Sequence, residues 1–266
     1  MNATIFGILA CLLYLVSAGA QLLGLRREVQ AKHLFVSLTG LGAIVLHGLF
    51  SFSELDTDQG IDLSIMPMAT LITLAISTIL VASSLRRPVA NLVLAIFPLA
   101  IITILATLAT KTGHAPREQL APGILLHIIL SVIAYGLLAV AALQAVLLSF
   151  GDYELKNRKF GLLRHMPPLQ TMETLLFELL WSGLTFLTLS IVSGFMFLSD
   201  LNLPGLIHHT SITLAAWIVF AILLWGRYRL GWRGAAASRW TLSGFALLLL
   251  GYFGSKLVLE IILQGG

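Results

Sequence analysis

Seven histidines are spread over the 266 residues, and imidazole is the side chain here best suited to chemistry. A neutral ring nitrogen binds haem iron and other transition metals. His47 in "AIVLHGLF" and His127 in "GILLHIIL" stand among apolar neighbours, while His208 and His209 open the apolar run "LIHHTSITLAAW". His114, beside Pro116 and Arg117, reads as a solvated loop residue, and His33 and His165 lie in basic stretches. Taken singly, each histidine is equally a hydrogen-bonding group at an interface; taken jointly, the pattern points to metal ligation. Lys256 and Glu260 are four apart, so they share a helix face. They either pair with each other or leave Lys256 to hold an anionic ligand.

Other chemistries are poorly served. The single cysteine, Cys11, excludes an internal disulfide, a CxxC redox pair and a CxxCH haem attachment. No phosphate-binding glycine loop and no Ser/His/Asp arrangement is present. Transport of a metal ion competes with haem binding. Dedicated Zn or Mg sites usually add carboxylates, yet Glu54, Asp56 and Asp58 fall outside the apolar runs.

The elements that position these residues are membrane helices. Charged residues make up 11% of the chain and mean hydropathy is +0.96, against roughly 25% charged residues in soluble domains. A spanning helix needs about 20 apolar residues. Eight runs qualify, at about 3–24, 33–52, 63–84, 89–110, 122–149, 170–198, 208–226 and 240–263. The expected fold is all-α and polytopic, a single membrane domain over 1–266. The first run has no basic residue before it and "LRRE" behind it, so it reads as an uncleaved helix.

Lys and Arg set the orientation. One set of loops carries Arg26, Arg27, Lys32, Arg86, Arg87, Lys156, Arg158, Lys159, Arg164, Arg227, Arg229, Arg233 and Arg239; the other carries Lys111 and Arg117. Thirteen against two makes the first set cytoplasmic, with both termini outside. Five of the seven histidines then fall in the outer half. Glu178, inside the sixth run, reads as a structural residue between helices.

The stretches "LLHIILSVIAYGLLAVAALQAVLL" (125–148), "MPPLQTMETLLFELLWSGLTFLTLSIVSG" (166–194), "AAWIVFAILLWGRYRLGWRG" (215–234) and "GYFGSKLVLE" (251–260) resemble the cytochrome c assembly family of CcsA- and HemX-like membrane proteins. The likeness is strongest to its small eight-helix YpjD-type inner-membrane branch. It implies a bacterial cytoplasmic (inner) membrane protein that handles haem b. His127 falls on a family histidine, and Lys256 becomes a candidate partner for a haem propionate. The family's tryptophan-rich outer loop has no counterpart here: Trp181, Trp217, Trp225, Trp232 and Trp240 all lie elsewhere, and 199–207 contains none. His208 and His209 follow that segment and become substitute ligands. The expected function is non-enzymatic haem binding by His47, His127, His208 and His209, with Lys256 beside them and with other cytochrome-biogenesis or membrane proteins as partners. The alternative is a HemX-like accessory protein that binds a cytosolic enzyme or transporter through its basic loops, without haem.

Overall fold

The computed structural model describes residues 3–26, 33–57, 60–84, 90–110, 120–158, 166–197 and 204–254. Among them are eight α-helices: α1 (Ala3–Arg26), α2 (His33–Leu55), α3 (Ile65–Ser84), α4 (Val93–Ala109), α5 (Pro122–Lys156), α6 (Leu169–Phe197), α7 (Pro204–Leu230) and α8 (Gly234–Leu249). A π-helical turn, Leu250–Gly254, continues α8, and a two-residue hairpin, β1 (Asp56–Thr57) with β2 (Gly60–Ile61), joins α2 to α3. In lipid every backbone N–H and C=O must be satisfied internally, which leaves apolar segments of this length only the helix. Six of the helices are long and apolar enough to cross a membrane: α1, α2, α3, α5, α6 and α7. The chain is thus an all-helical, multi-pass membrane protein.

Several helices outrun the apolar segments that mark them, while α4 (Val93–Ala109) falls short of the expected 89–110. α5 continues to Lys156 rather than ending near 149, and α7 runs from Pro204 to Leu230 rather than over 208–226. The 35 residues of α5 make a rod about 52 Å long at 1.5 Å per residue, against roughly 30 Å of hydrocarbon. Hydropathy marks the part in lipid; the same helix carries on into the polar interface, where Asp152, Glu154 and Lys156 are good neighbours for water. Pro122 sits in the first turn of α5, where its missing N–H costs nothing.

The chain packs as two compact units, Met1–Leu120 and Ala121–Gly266. In the first, α1 packs on α2 and α4, and α3 on α2 and α4, so the four helices close a ring. Side-chain pairs fix antiparallel neighbours: Thr73 Oγ1 lies 2.8 Å from Thr103 Oγ1, and Thr107 Oγ1 donates to the Met66 carbonyl. Tyr14, Phe50, Leu80, Ile96, Phe97 and Ile104 fill the centre. Gly40 lets Phe97 approach to 3.1 Å of where a Cβ would stand.

The second unit repeats the plan: α5 packs on α6 and α8, and α7 on α6 and α8. Gly183 admits Leu138 and Gly244 admits Phe220, each so close that a methyl group would lie under 3.0 Å from the neighbouring side chain. Small residues allow such approach where hydrophobic burial supplies no drive between helices in lipid. The turn from α7 to α8 is three residues long and needs left-handed backbone at Gly231 (φ 66°), a conformation cheap only for glycine.

Candidate functional site

Near the start of α5, His127 faces the last turns of α6. Its Nδ1 lies 2.8 Å from the Ser190 carbonyl oxygen and 3.2 Å from Ser193 Oγ. A carbonyl only accepts, so in the neutral ring Nδ1 carries the proton and Nε2 carries the lone pair. The hydroxyl protons around it are committed elsewhere. Ser193 donates to the Ser190 carbonyl at 2.8 Å, and Ser131 donates to the His127 carbonyl at 2.7 Å. Ser190 Oγ then donates to Ser131 Oγ at 2.6 Å. Ser131 Oγ stands 3.5 Å from Nε2, beyond a useful hydrogen bond. Ring orientation is set by Gly194: a Cβ there would lie 3.1 Å from His127 Cε1 and 3.3 Å from Nδ1, so the imidazole rests against bare helix backbone. The outcome is a half-buried imidazole held by its Nδ1 side, with the lone pair on Nε2.

His209, in the second turn of α7, is also half-buried and meets Tyr252 edge to face at 6.1 Å between ring centres. Tyr252 belongs to the π turn and packs in turn on Tyr135 of α5, at 5.8 Å. A π turn shifts backbone bonding from i+4 to i+5 and so displaces carbonyls from their usual partners. Tyr135 answers this by donating its hydroxyl to the Leu248 carbonyl at 3.0 Å. His127, His209 and Tyr252 all lie toward one end of the second bundle. The described Lys and Arg residues of that bundle gather at the other end. There Arg227 pairs with Glu173 at 2.6 Å, lies 4.4 Å over the Phe177 ring and donates to the Trp232 carbonyl, while Trp232 stacks on Trp240.

His47 belongs to the first bundle and has no exposed surface. Its Nδ1 lies 3.1 Å from the Tyr14 hydroxyl, and its Nε2 has no hydrogen-bond partner among the described residues. The side chain of His208 lies outside the described residues, as do Lys256, Glu260, His114 and most of 199–207; α7 begins within that segment at Pro204. Among the described residues no three of His, Cys, Asp and Glu gather as a metal-binding group. Sequence reading missed Ser131, Ser190 and Ser193 as partners of His127. "SIVSG" (190–194) holds the signal, two serines and a glycine at i, i+3 and i+4, one helical stripe.

Residues 4–263 match the family model described as cytochrome C assembly protein. The chain is 30% identical over 260 residues to "Inner membrane protein YpjD" of Escherichia coli K12, covering 97% of this chain and 99% of the relative. It is 32% identical over 163 residues to an uncharacterized 28.8 kDa protein of Azospirillum brasilense, covering 59% and 60%. "Protein HemX" of Brevibacillus brevis is 26% identical over 134 residues, 49% of each chain. No solved structure gives a significant match. The apolar helices and the full-length likeness to an inner-membrane relative place the chain in the inner membrane as a multi-pass protein.

Proposed function

The chain belongs to the cytochrome c assembly protein family, and from that premise we propose that it is a non-enzymatic membrane haem-binding protein in which His127 would hold the iron of haem b. The observation that carries this reading is the fixed tautomer of His127. Metal-ligating histidines commonly donate their other ring N–H to a backbone carbonyl, which orients the ring and raises its basicity. Here Nδ1 is tied to the Ser190 carbonyl and Nε2 is left as the donor atom. A haem needs only one or two protein ligands, so no larger cluster is required. Bound haem would supply the iron that the imidazole coordinates; the protein's part is to fix the ring, exclude water with the surrounding α5 and α6 side chains, and hold the macrocycle's edges.

His209, at the same end of the bundle, and its neighbour His208 are the next contacts in this reading, with Lys256 for a propionate. His47 is enclosed on every side, so a macrocycle reaches it only if the helices of the first bundle part; the ligand role passes to His127. All eight helices span the membrane in this reading, with both termini and the His127 end outside. That orientation is supported by Lys156, Arg158, Arg227, Arg229, Arg233 and Arg239 lying at the opposite end of the second bundle. In this reading the segment 199–207, which contains no tryptophan, does not serve as a haem-presenting loop.

Purification in mild detergent followed by haem titration tests the reading. Parent protein should develop a Soret band that His127→Ala loses and His114→Ala keeps. A parent that stays colourless at saturating haem, and co-purifies with a cytosolic or membrane partner, overturns it in favour of a HemX-like accessory role.

A further inference from the structure

The core of the first bundle contains polar atoms that the helices themselves do not satisfy. His47 Nε2, Ser51 Oγ and Ser77 Oγ are buried without a hydrogen-bond partner among the described residues. All three residues are at most 1% exposed. They are also neighbours along the bundle. Ser51 follows His47 by one turn on the inward face of α2. Ser77, on α3, lies next to the Tyr14 hydroxyl, and that hydroxyl is 3.1 Å from His47 Nδ1. α2 and α3 run antiparallel, with Gly48 facing Leu74 and Gly40 facing Val81, so Ser77 is level with residues 44–45 of α2. The three atoms therefore fall within about 10 Å of bundle axis at 1.5 Å per residue. Cys11 lies one turn before Tyr14 on the same side of α1 and is buried too.

Leaving a buried polar atom unbonded is costly, and native proteins resolve such atoms with partners or ordered water. His47 Nε2, Ser51 Oγ and Ser77 Oγ lie along one stretch of one bundle, close enough for a short chain of water to serve them all. The donor set is an imidazole and hydroxyls, with no carboxylate, which suits a neutral hydrogen-bonding ligand rather than a cation. Buried water typically makes about three hydrogen bonds to such groups.

We propose that His47, Ser51 and Ser77 bind ordered water inside the α1–α4 bundle. This water links the Tyr14–His47 pair into a hydrated proton-exchange site within the membrane. The role of His47 is then to hold water through Nε2, independently of whether the second bundle binds haem. The Nε2 proton exchanges one for one with a proton of this water, so that imidazole and water both end neutral while Nδ1 keeps its hydrogen bond to the Tyr14 hydroxyl, with no oxidant or second substrate involved.

Serine-to-alanine changes give a test by sign. If the hydroxyls bind water, Ser51→Ala and Ser77→Ala each lower the thermal midpoint of the detergent-solubilised protein by about 2–4 °C. If the core is dry, removing an orphan leaves the midpoint equal or higher. Ser182→Ala, exposed on α6, supplies the baseline for placing alanine in a helix. A second measurement does not depend on stability: in protein carrying 15N-histidine, the signal absent from His47→Gln should show magnetisation transfer from water. Midpoints that hold or rise in both serine variants overturn the proposal, and so does a His47 ring with no transfer from water. Haem titration of the two serine variants should match the parent, so this proposal and the haem reading fail separately.

Discussion

Replacing Gly194 by alanine is a small change that the geometry makes informative. The added Cβ would stand 3.1 Å from His127 Cε1 and 3.3 Å from Nδ1, a few tenths of an ångström inside ordinary contact. The ring must retreat, and it is tied to the Ser190 carbonyl at 2.8 Å on that same Nδ1 side. Retreat lengthens that bond toward the limit of about 3.2 Å. Losing most of a hydrogen bond worth about 0.5–1.5 kcal/mol corresponds to haem binding roughly 2- to 12-fold weaker, at 1.4 kcal/mol per factor of ten. Stability should hardly fall, because alanine is favoured over glycine in a helix by roughly 0.5–1 kcal/mol. Titration followed at the Soret band, with a thermal midpoint on the same sample, reads both quantities. Gly183→Ala is the comparison: its Cβ would lie 2.7 Å from Leu138, an overpacking that costs about 1–3 kcal/mol in stability and leaves affinity alone. Gly194→Ala with the parent's affinity and spectrum would refute the idea that His127 Nε2 is a positioned ligand.

Gly19, on α1, has nothing within 4 Å of the place a methyl group would take, so Gly19→Ala should raise stability by about 0.5–1 kcal/mol, read as a higher thermal midpoint. Tyr135→Phe removes the donor to the Leu248 carbonyl and should cost about 1–3 kcal/mol in the same assay, with the His209–Tyr252 packing loosened. Arg227→Ala should destabilise more than Arg233→Ala. Arg227 sits 2.6 Å from Glu173 and over Phe177, whereas Arg233 is 3.8 Å from the same carboxylate with 72% of its side chain exposed, where an ion pair is worth about 0–1 kcal/mol. Reporter fusions after residue 57 and after residue 160 should report outside and inside respectively; the reverse result would invert the placement of His127.

The helices were legible because lipid demands apolar runs of about 20 residues, and one such run marks each of α1 to α7. Their ends were less legible, since Asp152–Lys156 and the "RYRL" of α7 continue helices that hydropathy stops counting. The histidines were visible as residues but not as environments. His47 and His127 look alike in sequence, each an imidazole among leucines and isoleucines. What separates them is supplied from other helices: Tyr14 meets one edge to face, and the "SIVSG" stripe holds the other by its Nδ1. Partners 33 and 63 residues away leave no local trace. The acidic segment after α2 read as loop and contains the Asp56–Ile61 pairing, too short to alternate visibly.

Ring closure within each unit also has a consequence in time. α4 returns to α1 and α8 returns to α5, so neither ring needs a helix from the other half to complete its own circuit. During synthesis the amino-terminal ring has every neighbour it requires once α4 has been made, before α5 exists. Domains generally fold as units from the amino terminus during translation. The enclosed Tyr14–His47 pair is therefore sealed early, while the surface bearing His127 cannot form until α6 has followed α5 as far as Gly194. The two halves of the chain record an order of assembly as well as an arrangement.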